Sequence, residues 1–240
     1  MHILVTAGNT LTPIDRVRGI TNIFTGRTGA AIALEASRRG HAVTLLTSHS
    51  ETVADYSAPH WRCQAYRTFD ELHNLLERHI YRETPHVLIH SAAVSDYEPF
   101  GVFAPAPGTE FHSSDGTWHG EPPTLVDRAA AKVKSDEPEL WLRLVRTPKL
   151  IDMVRRDLGF RGILVKFKLE VGVSASELVE IAERSRQQSD ADWMVANTLE
   201  GSAEWAYLGT ATGYDRIERP ALAARLLDAI EKQFTERSHG

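Results

Sequence analysis

The sequence predicts an α/β fold with a doubly wound, mainly parallel sheet and helices on both faces. Two observations carry this prediction. Short β-branched and apolar runs alternate along the chain with longer segments whose apolar residues recur every three or four positions. Gly-rich turns join the first of these runs to the first helical segment. A chain of 240 residues can bury a large core, and we expect a single domain over 1–240.

Strands and helices alternate through the first part of the chain. Four short apolar or β-branched runs predict buried strands, at 3–5, 42–47, 61–66 and 87–92. A small-residue helix is predicted from Ala30, and a second helix over 69–83, where Leu72 and Leu76 recur at helical spacing. Such alternation is Rossmann-like, and sheets of this kind bind ligands at the carboxyl ends of their strands.

Residues 93–135 interrupt the alternation. Pro and Gly recur throughout this segment, as at Pro105, Pro107, Pro122 and Pro123, which predicts a long irregular excursion rather than a missed helix. Long loops inside compact domains are commonly functional lids or disordered segments. We therefore expect this segment to be the most mobile part of the chain.

Regular structure returns after this segment. Strands are predicted at 139–146, 163–169 and 193–196, helices at 149–157, 174–188 and from 222 onward, and a late hairpin at 204–213. The last helix is amphipathic, because Leu222, Leu226 and Ile230 fall on one face.

Composition limits the partners of the chain. The net charge is −5, the isoelectric point is near 6.1, and basic residues are scattered rather than clustered. We therefore expect neither a nucleic-acid nor a membrane partner. No apolar stretch approaches the roughly 20 residues of a membrane helix, so a soluble, cytoplasmic protein is expected. The single cysteine, Cys63, lies in a predicted strand and is expected to be a buried bystander.

Two Gly-rich turns near the amino terminus indicate an anion site. The first follows the first strand at 6–10, and the second, Thr25-Gly26-Arg27-Thr28-Gly29, opens the first helix. Small side chains leave backbone N–H groups accessible, and the positive end of the helix dipole attracts a phosphate. The Arg27 charge and two hydroxyl groups would add to this attraction.

An ordinary dehydrogenase fits these turns poorly. Its fingerprint is G-x-G-x-x-G after the first strand, with an acidic residue at the end of the second strand. The first turn supplies only Gly8, and the second strand ends in Leu46-Thr47-Ser48. No Tyr lies four residues before a Lys, and a Walker A loop is missing. A nicotinamide-dependent reductase remains an alternative, which a cofactor-binding measurement would test.

Further short motifs follow the Gly-rich turns in a fixed order. They are Pro13-Ile14-Asp15, Ile20-Thr21-Asn22, His90-Ser91-Ala92-Ala93-Val94-Ser95-Asp96-Tyr97, Lys132-Val133-Lys134, Thr147-Pro148-Lys149-Leu150-Ile151, Phe167-Lys168-Leu169 and Ala191-Asp192-Trp193-Met194-Val195-Ala196-Asn197. Together with the two turns, this series resembles phosphopantothenoylcysteine synthetase, the phosphopantothenate–cysteine ligase of coenzyme A synthesis, in its stand-alone bacterial form. The resemblance covers nearly the whole chain, which makes it more specific than any single turn.

The resemblance implies a reaction. A ligase of this family joins 4'-phosphopantothenate to L-cysteine with a nucleoside triphosphate, usually CTP in bacterial members, and ATP is the alternative here. The carboxylate attacks the α-phosphate to give an acyl-nucleotidylate and pyrophosphate, and the cysteine amine then displaces the nucleotide. Mg²⁺ and a homodimer are also implied.

The same resemblance assigns residues to this chemistry. Asn22 and Lys132 are the expected catalytic residues: Asn22 would position the acyl-nucleotidylate, and Lys132 would neutralise charge on the transferred phosphoryl group. Asp96 would bind the ribose or a phosphate-linked Mg²⁺. The other expected nucleotide contacts are Gly8, Thr25, Gly26, Arg27, Gly29, Ala92, Pro148, Lys149, Leu150, Ile151, Phe167 and Arg184.

Taken singly, these residues also have ordinary structural explanations. Asn22 and Asp96 are common in turns, Lys132 fits a solvated helix surface, and Phe167 fits a core. Their joint occurrence favours the catalytic interpretation. His90, at the end of an apolar strand, is expected to be a hydrogen-bonded residue near the core rather than a metal ligand.

Several positions depart from the family pattern. Phe24 stands where serine is usual, Arg27 where lysine is common, and Lys166 where glycine is usual. Two late nucleotide-contacting lysines are replaced, the first by Arg184 or Arg186 and the second by Gln188 or Ser189. These changes keep a second alternative open, a repurposed relative that binds nucleotide without ligase turnover.

Overall fold

Contacts divide the chain into two compact units. The computed structural model describes residues 1–239. The first unit, which we call the sheet unit, comprises Met1–Thr10, Ile23–Val94 and the chain from Lys149 onward. The second, which we call the inserted unit, comprises Leu11–Asn22 and Ser95–Pro148. The single domain expected over 1–240 stays a prediction.

The described residues form fifteen strands and five α-helices. The strands are β1 (His2–Ala7), β2 (Leu11–Pro13), β3 (Gly19–Thr21), β4 (Ala42–Thr47), β5 (Trp61–Ala65), β6 (Val87–His90), β7 (Tyr97–Pro105), β8 (Glu110–His112), β9 (Thr117–His119), β10 (Leu125–Asp127), β11 (Trp141–Arg146), β12 (Ile163–Glu170), β13 (Trp193–Thr198), β14 (Trp205–Thr210) and β15 (Gly213–Glu218). The helices are α1 (Arg27–Arg38), α2 (Phe69–Glu83), α3 (Leu150–Arg156), α4 (Ala175–Gln188) and α5 (Leu222–His239). None of these helices is both long and apolar enough to cross a bilayer.

An eight-stranded sheet forms the centre of the sheet unit, in the order β15-β14-β13-β12-β6-β1-β4-β5. β1 pairs in parallel with β4 and β6, and β12 pairs in parallel with β6 and β13. The late hairpin β14–β15 adds antiparallel pairings at one edge and extends beyond its predicted end, to Glu218. The predicted mainly parallel α/β sheet is therefore confirmed.

Helices cover both faces of this sheet, as side-chain alternation along β1 demonstrates. Ile3 and Val5 point to one face and pack in a cluster with residues of α1 and α5. Leu4 points to the other face and packs with residues of α2 and α3. All three side chains are fully buried, and burying an aliphatic side chain of this size stabilises the fold by about 1.5–3 kcal/mol. Burial on both faces explains why the central strands read as continuous apolar runs.

The inserted unit is built from β-strands. β7 is the central strand of a three-stranded antiparallel sheet, in the order β10-β7-β11. Two hairpins complete the unit, β2–β3 from its first chain segment and β8–β9 from its second. Val102, Ala104 and Val133 are its buried apolar side chains among those that the structure describes.

Residues 93–135 are more regular than the sequence predicts. The strands β7 to β10 all lie within this segment, so the expectation of a purely irregular excursion was wrong. Its prolines and glycines lie at strand ends and at a bulge instead of replacing the strands. Pro105 ends β7, and the register of β7 on β11 shifts between Pro99 and Gly101. β8, β9 and β10 have three residues each, too few to show a periodicity, and Pro99 and Gly101 hide the longer β7.

Cys63 is exposed rather than buried. It lies in β5, which ends the sheet and has a neighbouring strand on one side only. The expected burial was wrong because an apolar run does not reveal whether its strand is central or at an edge. The burial that remains raises the pKa of the Cys63 thiol, which disfavours the reactive thiolate.

Candidate functional site

Three glycines bring the end of β1 against the start of α1. Gly8 follows β1 with a φ of +87°, and Gly26 precedes α1 with a φ of +76°, a conformation that glycine adopts without strain. A Cβ on Gly26 would lie 2.2 Å from the backbone nitrogen of Gly8. A Cβ on Gly29 would lie 2.7 Å from the Cβ of Ala7. Side chains at these positions would force the two turns apart.

The first turn of α1 offers its backbone N–H groups to a ligand. Within the described chain, no side chain caps this N-terminus, and no acidic residue lies in its first turn. Orphan amides and the positive end of the helix dipole together favour an anion. Thr25 and Arg27 are exposed on either side of Gly26. The structure thus brings Gly8, Thr25, Gly26, Arg27 and Gly29 together, as the motif predicts.

A cation that the sequence analysis missed lies at the same helix end. The guanidinium of Arg219 donates a hydrogen bond to Oγ1 of Thr28, the second residue of α1. Burial lowers the pKa of Arg219, but an arginine side chain stays charged in proteins. Arg219 lies between β15 and α5, 191 residues from Thr28, so no local sequence pattern could have identified it.

The chain after β6 runs beside the first Gly-rich turn. The N–H of Ser91 donates to the carbonyl of Thr6 at 3.1 Å. The N–H of Ala93 donates to the carbonyl of Gly8 at 2.8 Å. Between them, the N–H of Ala92 donates to Oγ1 of Thr6 at 3.3 Å. Ala92 is therefore fixed next to the Gly-rich turns, at the carboxyl end of the parallel strands, where ligands bind in folds of this kind.

His90 is a buried, neutral residue behind this end of the sheet. Its Nδ1 lies 2.9 Å from Oγ1 of Thr6. Burial, with a smaller contribution from the charge of Lys166, lowers the pKa of His90 to about 4. The expectation of a hydrogen-bonded histidine near the core is confirmed.

Lys166 directs a buried ammonium group toward the end of α4. Its Nζ donates to the carbonyl of Ser185 at 2.8 Å and to the hydroxyl of Ser189. Burial lowers the pKa of Lys166 to about 8, and Asp152, 3.8 Å away, opposes that shift. Gln188 and Ser189, the two candidates for a replaced lysine, both donate to Asp152. Lys166 of the neighbouring strand β12 therefore places a positive charge at the C-terminal end of α4, where the family's lysine is replaced.

The predicted base-binding segments contribute side chains to the core. Leu150 and Ile151, in the first turn of α3, are 1% and 8% exposed and pack on the face that α2 covers. Phe167 of β12 is half-buried against the cluster formed with α1 and α5. Lys149, just before α3, is exposed. Leu150 and Ile151 thus have only their backbone to offer a nucleotide.

The structure separates Arg184 from the Gly-rich turns. Arg184 is exposed on α4 and lines a pocket with Thr212 and Tyr214, which flank the turn between β14 and β15. Because β14 runs antiparallel to β13, this turn lies at the amino ends of the parallel strands, opposite Gly8. Arg186, the other candidate, forms an ion pair with Glu183 at 2.8 Å. Of the two candidates for the first replaced lysine, Arg184 is therefore the one whose side chain can contact a ligand.

In the inserted unit, the tip of the β2–β3 hairpin holds the segment that contains Lys132. A carboxylate oxygen of Asp15 accepts the N–H of Val133 at 3.0 Å. Nη2 of Arg18 donates to the carbonyl of Val133 at 2.6 Å. The N–H of Arg16 donates to the carbonyl of Ala131 at 3.1 Å. The backbone on both sides of Lys132 is thus fixed by one turn.

Asp15 is itself held as a carboxylate. Hydrogen bonds from the backbone of Val17 and then of Arg18 hold the pKa of Asp15 well below its usual range. Lys132 is exposed and lies between β10 and β11, outside any helix, so the alternative of a helix-surface lysine does not apply. Asn22 follows β3, at the opposite end of the hairpin strand from the Asp15 turn, and is half-buried.

Asp96 and Pro148 are neighbours in the inserted unit. The N–H of Thr147 donates to the carbonyl of Asp96 at 3.0 Å. Its hydroxyl donates to the carbonyl of Ser95 at 2.6 Å. These bonds continue the pairing of β7 with β11 and place the exposed Asp96 beside Pro148. The pairing therefore brings together two predicted nucleotide contacts, Asp96 and Pro148, that lie as far apart in sequence as Ser95 and Thr147, which is 52 residues.

The part of the chain that contains the Gly-rich turns matches a known family. Residues 1–104 match the family model described as DNA/pantothenate metabolism flavoprotein C-terminal domain. The chain is similar to phosphopantothenoylcysteine synthetases. The resemblance to phosphopantothenoylcysteine synthetase that was inferred from the motifs is confirmed.

The relatives of this synthetase-like chain include longer proteins. The coenzyme A biosynthesis bifunctional protein CoaBC of Thermococcus kodakarensis is 33% identical over 239 residues, which cover 97% of this chain and 51% of that protein. The chain therefore spans about half the length of the curated relatives it matches.

Solved structures agree with this relationship. The crystal structure of the DNA/pantothenate metabolism flavoprotein from Streptococcus pneumoniae is 28% identical, with a TM-score of 0.79 over 97% of this chain and 99% of that one. A Cab2 mutant in complex with phosphopantothenate-cysteine has a TM-score of 0.67 at 15% identity, over 100% of this chain and 89% of that one. At that identity, the second likeness concerns the fold alone.

Proposed function

We propose that this chain ligates 4'-phosphopantothenate to L-cysteine with a nucleoside triphosphate. The observation that carries the proposal is the glycine-lined N-terminus of α1, free of acidic residues in its first turn, in a chain similar to coenzyme A biosynthesis proteins over 97% of its length. A helix end of this kind suits a triphosphate. The complex of the Cab2 mutant with phosphopantothenate-cysteine supports the choice of acid and amine.

The proposed reaction has two balanced steps. The phosphopantothenate carboxylate attacks the α-phosphorus of CTP, and the bond to the β-phosphate breaks to release pyrophosphate. The amine of cysteine then attacks the acyl carbon of the acyl-cytidylate and loses a proton, and CMP leaves with the electron pair of the acyl–oxygen bond. Both steps develop negative charge on oxygen, so catalysis depends on positioned donors and cations.

Groups of the kind that these steps need are found in both units. In the sheet unit, the amides of α1 and the Arg27 and Arg219 charges would bind phosphates, and Ala92 would bind the base through its backbone. In the inserted unit, Lys132 would neutralise the transferred phosphoryl group, and Asn22 would position the acyl-nucleotidylate.

Mg²⁺ fits the exposed carboxylate of Asp96. Magnesium is commonly held by one or two carboxylates together with substrate phosphates and water, and Asp96 has the required oxygen donors. When bound, the ion would neutralise negative charge on the phosphate oxygens. Nucleotide binding, orientation of the acyl-nucleotidylate and stabilisation of the transferred phosphoryl group are assigned to the protein groups named above.

The active form is proposed to be a cytoplasmic homodimer. Arg184 lies at the opposite end of the sheet from Gly8, so a second copy of the chain would have to bring it to a nucleotide bound at the Gly-rich turns. Cytoplasmic action follows from the nucleotide co-substrate, which is made in that compartment. The exposed thiol of Cys63 is also typical of a reducing compartment.

Pyrophosphate release tests this function. The whole chain is incubated with Mg²⁺ and CTP, with phosphopantothenate and cysteine added separately and together, and with ATP in parallel. We expect release that requires the acid, and an amide product only when cysteine is added. Folded protein that binds CTP but releases no pyrophosphate with either nucleotide would instead identify a repurposed relative. Nicotinamide cofactor binding without CTP binding would favour a reductase.

A further inference from the structure

The β8–β9 hairpin of the inserted unit has two faces of different chemistry. Phe111 and Trp118 lie directly opposite each other in the pairing register and share one face. Their ring centroids are 5.1 Å apart, and both rings pack on Trp141 of β11, at 4.6 and 4.7 Å. This aromatic face attaches the hairpin to the three-stranded sheet. The opposite face therefore has no part in that packing.

That opposite face concentrates metal-ligating side chains. By alternation, Glu110 and His112 of β8 share it with His119 of β9. The rings of His112 and His119 stack with centroids 4.1 Å apart. Asp115 adds a carboxylate from the turn, so that one ligand atom from each of His112, Asp115 and His119 lies within 4.8 Å of the others. All three residues are exposed, and an ion from solution can reach them.

The turn holds the carboxylate of Asp115 in place. Oδ1 of Asp115 accepts the hydroxyl of Thr117 at 2.7 Å and its backbone N–H at 3.0 Å. The hydroxyl of Thr117 also lies 2.8 Å from Nε2 of His119, the kind of outer contact that orients a ligating imidazole. The Thr117 hydroxyl thus holds Asp115 and His119 close together.

We propose that His112, Asp115 and His119 form a binding site for a divalent transition-metal ion, with Zn²⁺ as its occupant. Two imidazole nitrogens and one carboxylate oxygen are a ligand set that zinc accepts, whereas magnesium prefers oxygen ligands alone. Zinc holds nitrogen ligands at about 2.0–2.1 Å, so the stacked rings of His112 and His119 would rotate to direct one nitrogen each at the ion, which their exposure allows.

Glu110 lies beside the site, outside the three residues whose ligand atoms lie within 4.8 Å of one another. Its Oε2 lies 3.7 Å from Nε2 of His112, and Glu110 is directly opposite His119 in the hairpin register. Because β8 and β9 have three residues each, fewer than is usual for a strand, the ion would stabilise a hairpin with few hydrogen bonds between its strands.

Zinc titration of the whole chain tests the site. Calorimetry with ZnCl₂ in excess Mg²⁺ should detect one equivalent bound by the unmodified protein. The variant His112→Gln/His119→Gln should bind that equivalent at least tenfold more weakly, and Asp115→Asn should also weaken binding. Absence of zinc binding by the unmodified protein, or equal binding by the double variant, would overturn the proposal.

Two control variants address other zinc ligands on the surface. His60→Gln/His239→Gln removes two exposed histidines outside the hairpin, and Cys63→Ser removes the exposed thiol. Both should bind zinc as the unmodified protein does; a loss of the equivalent in either would place the ion elsewhere and overturn the proposal.

A second measurement serves if the double histidine variant does not fold. Cu²⁺ is added to the unmodified protein and to Trp118→Phe, which retains an aromatic ring at that position, and tryptophan fluorescence is recorded. Quenching by an ion on this hairpin should be smaller in Trp118→Phe than in the unmodified protein. Quenching that is identical in the two proteins would contradict the assigned position.

Discussion

The carboxylate of Asp15 accepts a hydrogen bond from the N–H of Val133 at 3.0 Å, across 118 residues of sequence. The same carboxylate accepts the N–H groups of Val17 and Arg18, both at 2.8 Å. Val133 directly follows Lys132, so the position of the proposed catalytic lysine depends on a turn near the amino terminus.

Asp15→Asn should therefore impair catalysis without removing a catalytic group. An amide has a single acceptor oxygen and cannot replace all of the bonds that the carboxylate accepts. A displacement of about 1 Å at Lys132 is enough to lower pyrophosphate release by roughly 100-fold. Single-turnover pyrophosphate release measures this. Asp136→Asn, at an exposed aspartate of the same unit, is the control and should stay within twofold of the unmodified protein.

Lys132→Gln should lower the rate of acyl-nucleotidylate formation, because it removes the charge that stabilises the transferred phosphoryl group. Loss of one such electrostatic contact costs about 100- to 1,000-fold in rate. Pyrophosphate release in the presence of phosphopantothenate is the readout. Lys134→Gln changes an equally exposed lysine two residues away. An equal loss in both variants would show that the charge of the segment matters and not Lys132 itself.

Asn22→Asp should impair ligation while preserving most CTP binding. The substitution replaces an amide donor with a second negative charge beside an anionic intermediate. Comparison of steady-state turnover with the Kd for CTP separates the two effects. Unchanged turnover would remove Asn22 from the mechanism, and an equal loss of binding and turnover would assign it to the nucleotide site instead.

Arg219→Gln should weaken CTP binding by about tenfold or more, since a hydrogen bond to a charged group contributes about 1.5–3 kcal/mol. The reason is its position at the N-terminus of α1, where it donates to Thr28. Equilibrium CTP binding measures the effect. Arg225→Gln, at an exposed arginine in α5, is the control. Equal affinities for CTP in the two variants would exclude Arg219 from the phosphate site.

Lys166 should make stability depend on pH on the alkaline side. Its pKa is lowered to about 8 in the folded protein, against an ordinary value of 10.5, so the unfolded chain binds more protons between these values. The free energy of unfolding contributed by this residue therefore rises as pH increases from about 8 to 10.5. Urea unfolding at pH 7 and pH 10 should show a smaller increase for Lys166→Met than for the unmodified protein. Lys168→Met, at a less buried lysine of the same strand, should behave like the unmodified protein.

Local chemistry explains which elements could be predicted. Helix α2 has its predicted bounds because Thr68 and Glu71 cap each other reciprocally at its start, and both residues are visible in the sequence. The glycines of the two turns were equally visible, because positive φ and close backbone contact leave few other choices.

Long-range contacts explain what could not be predicted. Arg219 reaches Thr28 across 191 residues, and Asp15 reaches Val133 across 118, and neither contact leaves a periodic signal. The exposure of Cys63 depends on the place of β5 in the strand order, which only the complete sheet determines. The sequence shows Lys166 as a departure from the family pattern, but its contact with Ser189 depends on the packing of α4 on β12.

The inserted unit is assembled from two pieces of chain that are far apart in sequence, Leu11–Asn22 and Ser95–Pro148. It therefore cannot be transplanted into another protein, or removed from this one, by exchanging a single continuous stretch. Deleting the longer piece would leave the Asp15 carboxylate without Val133, and grafting that piece alone would leave Lys132 without the turn that orients it. A substitution at this contact in one piece therefore acts on the other piece as well.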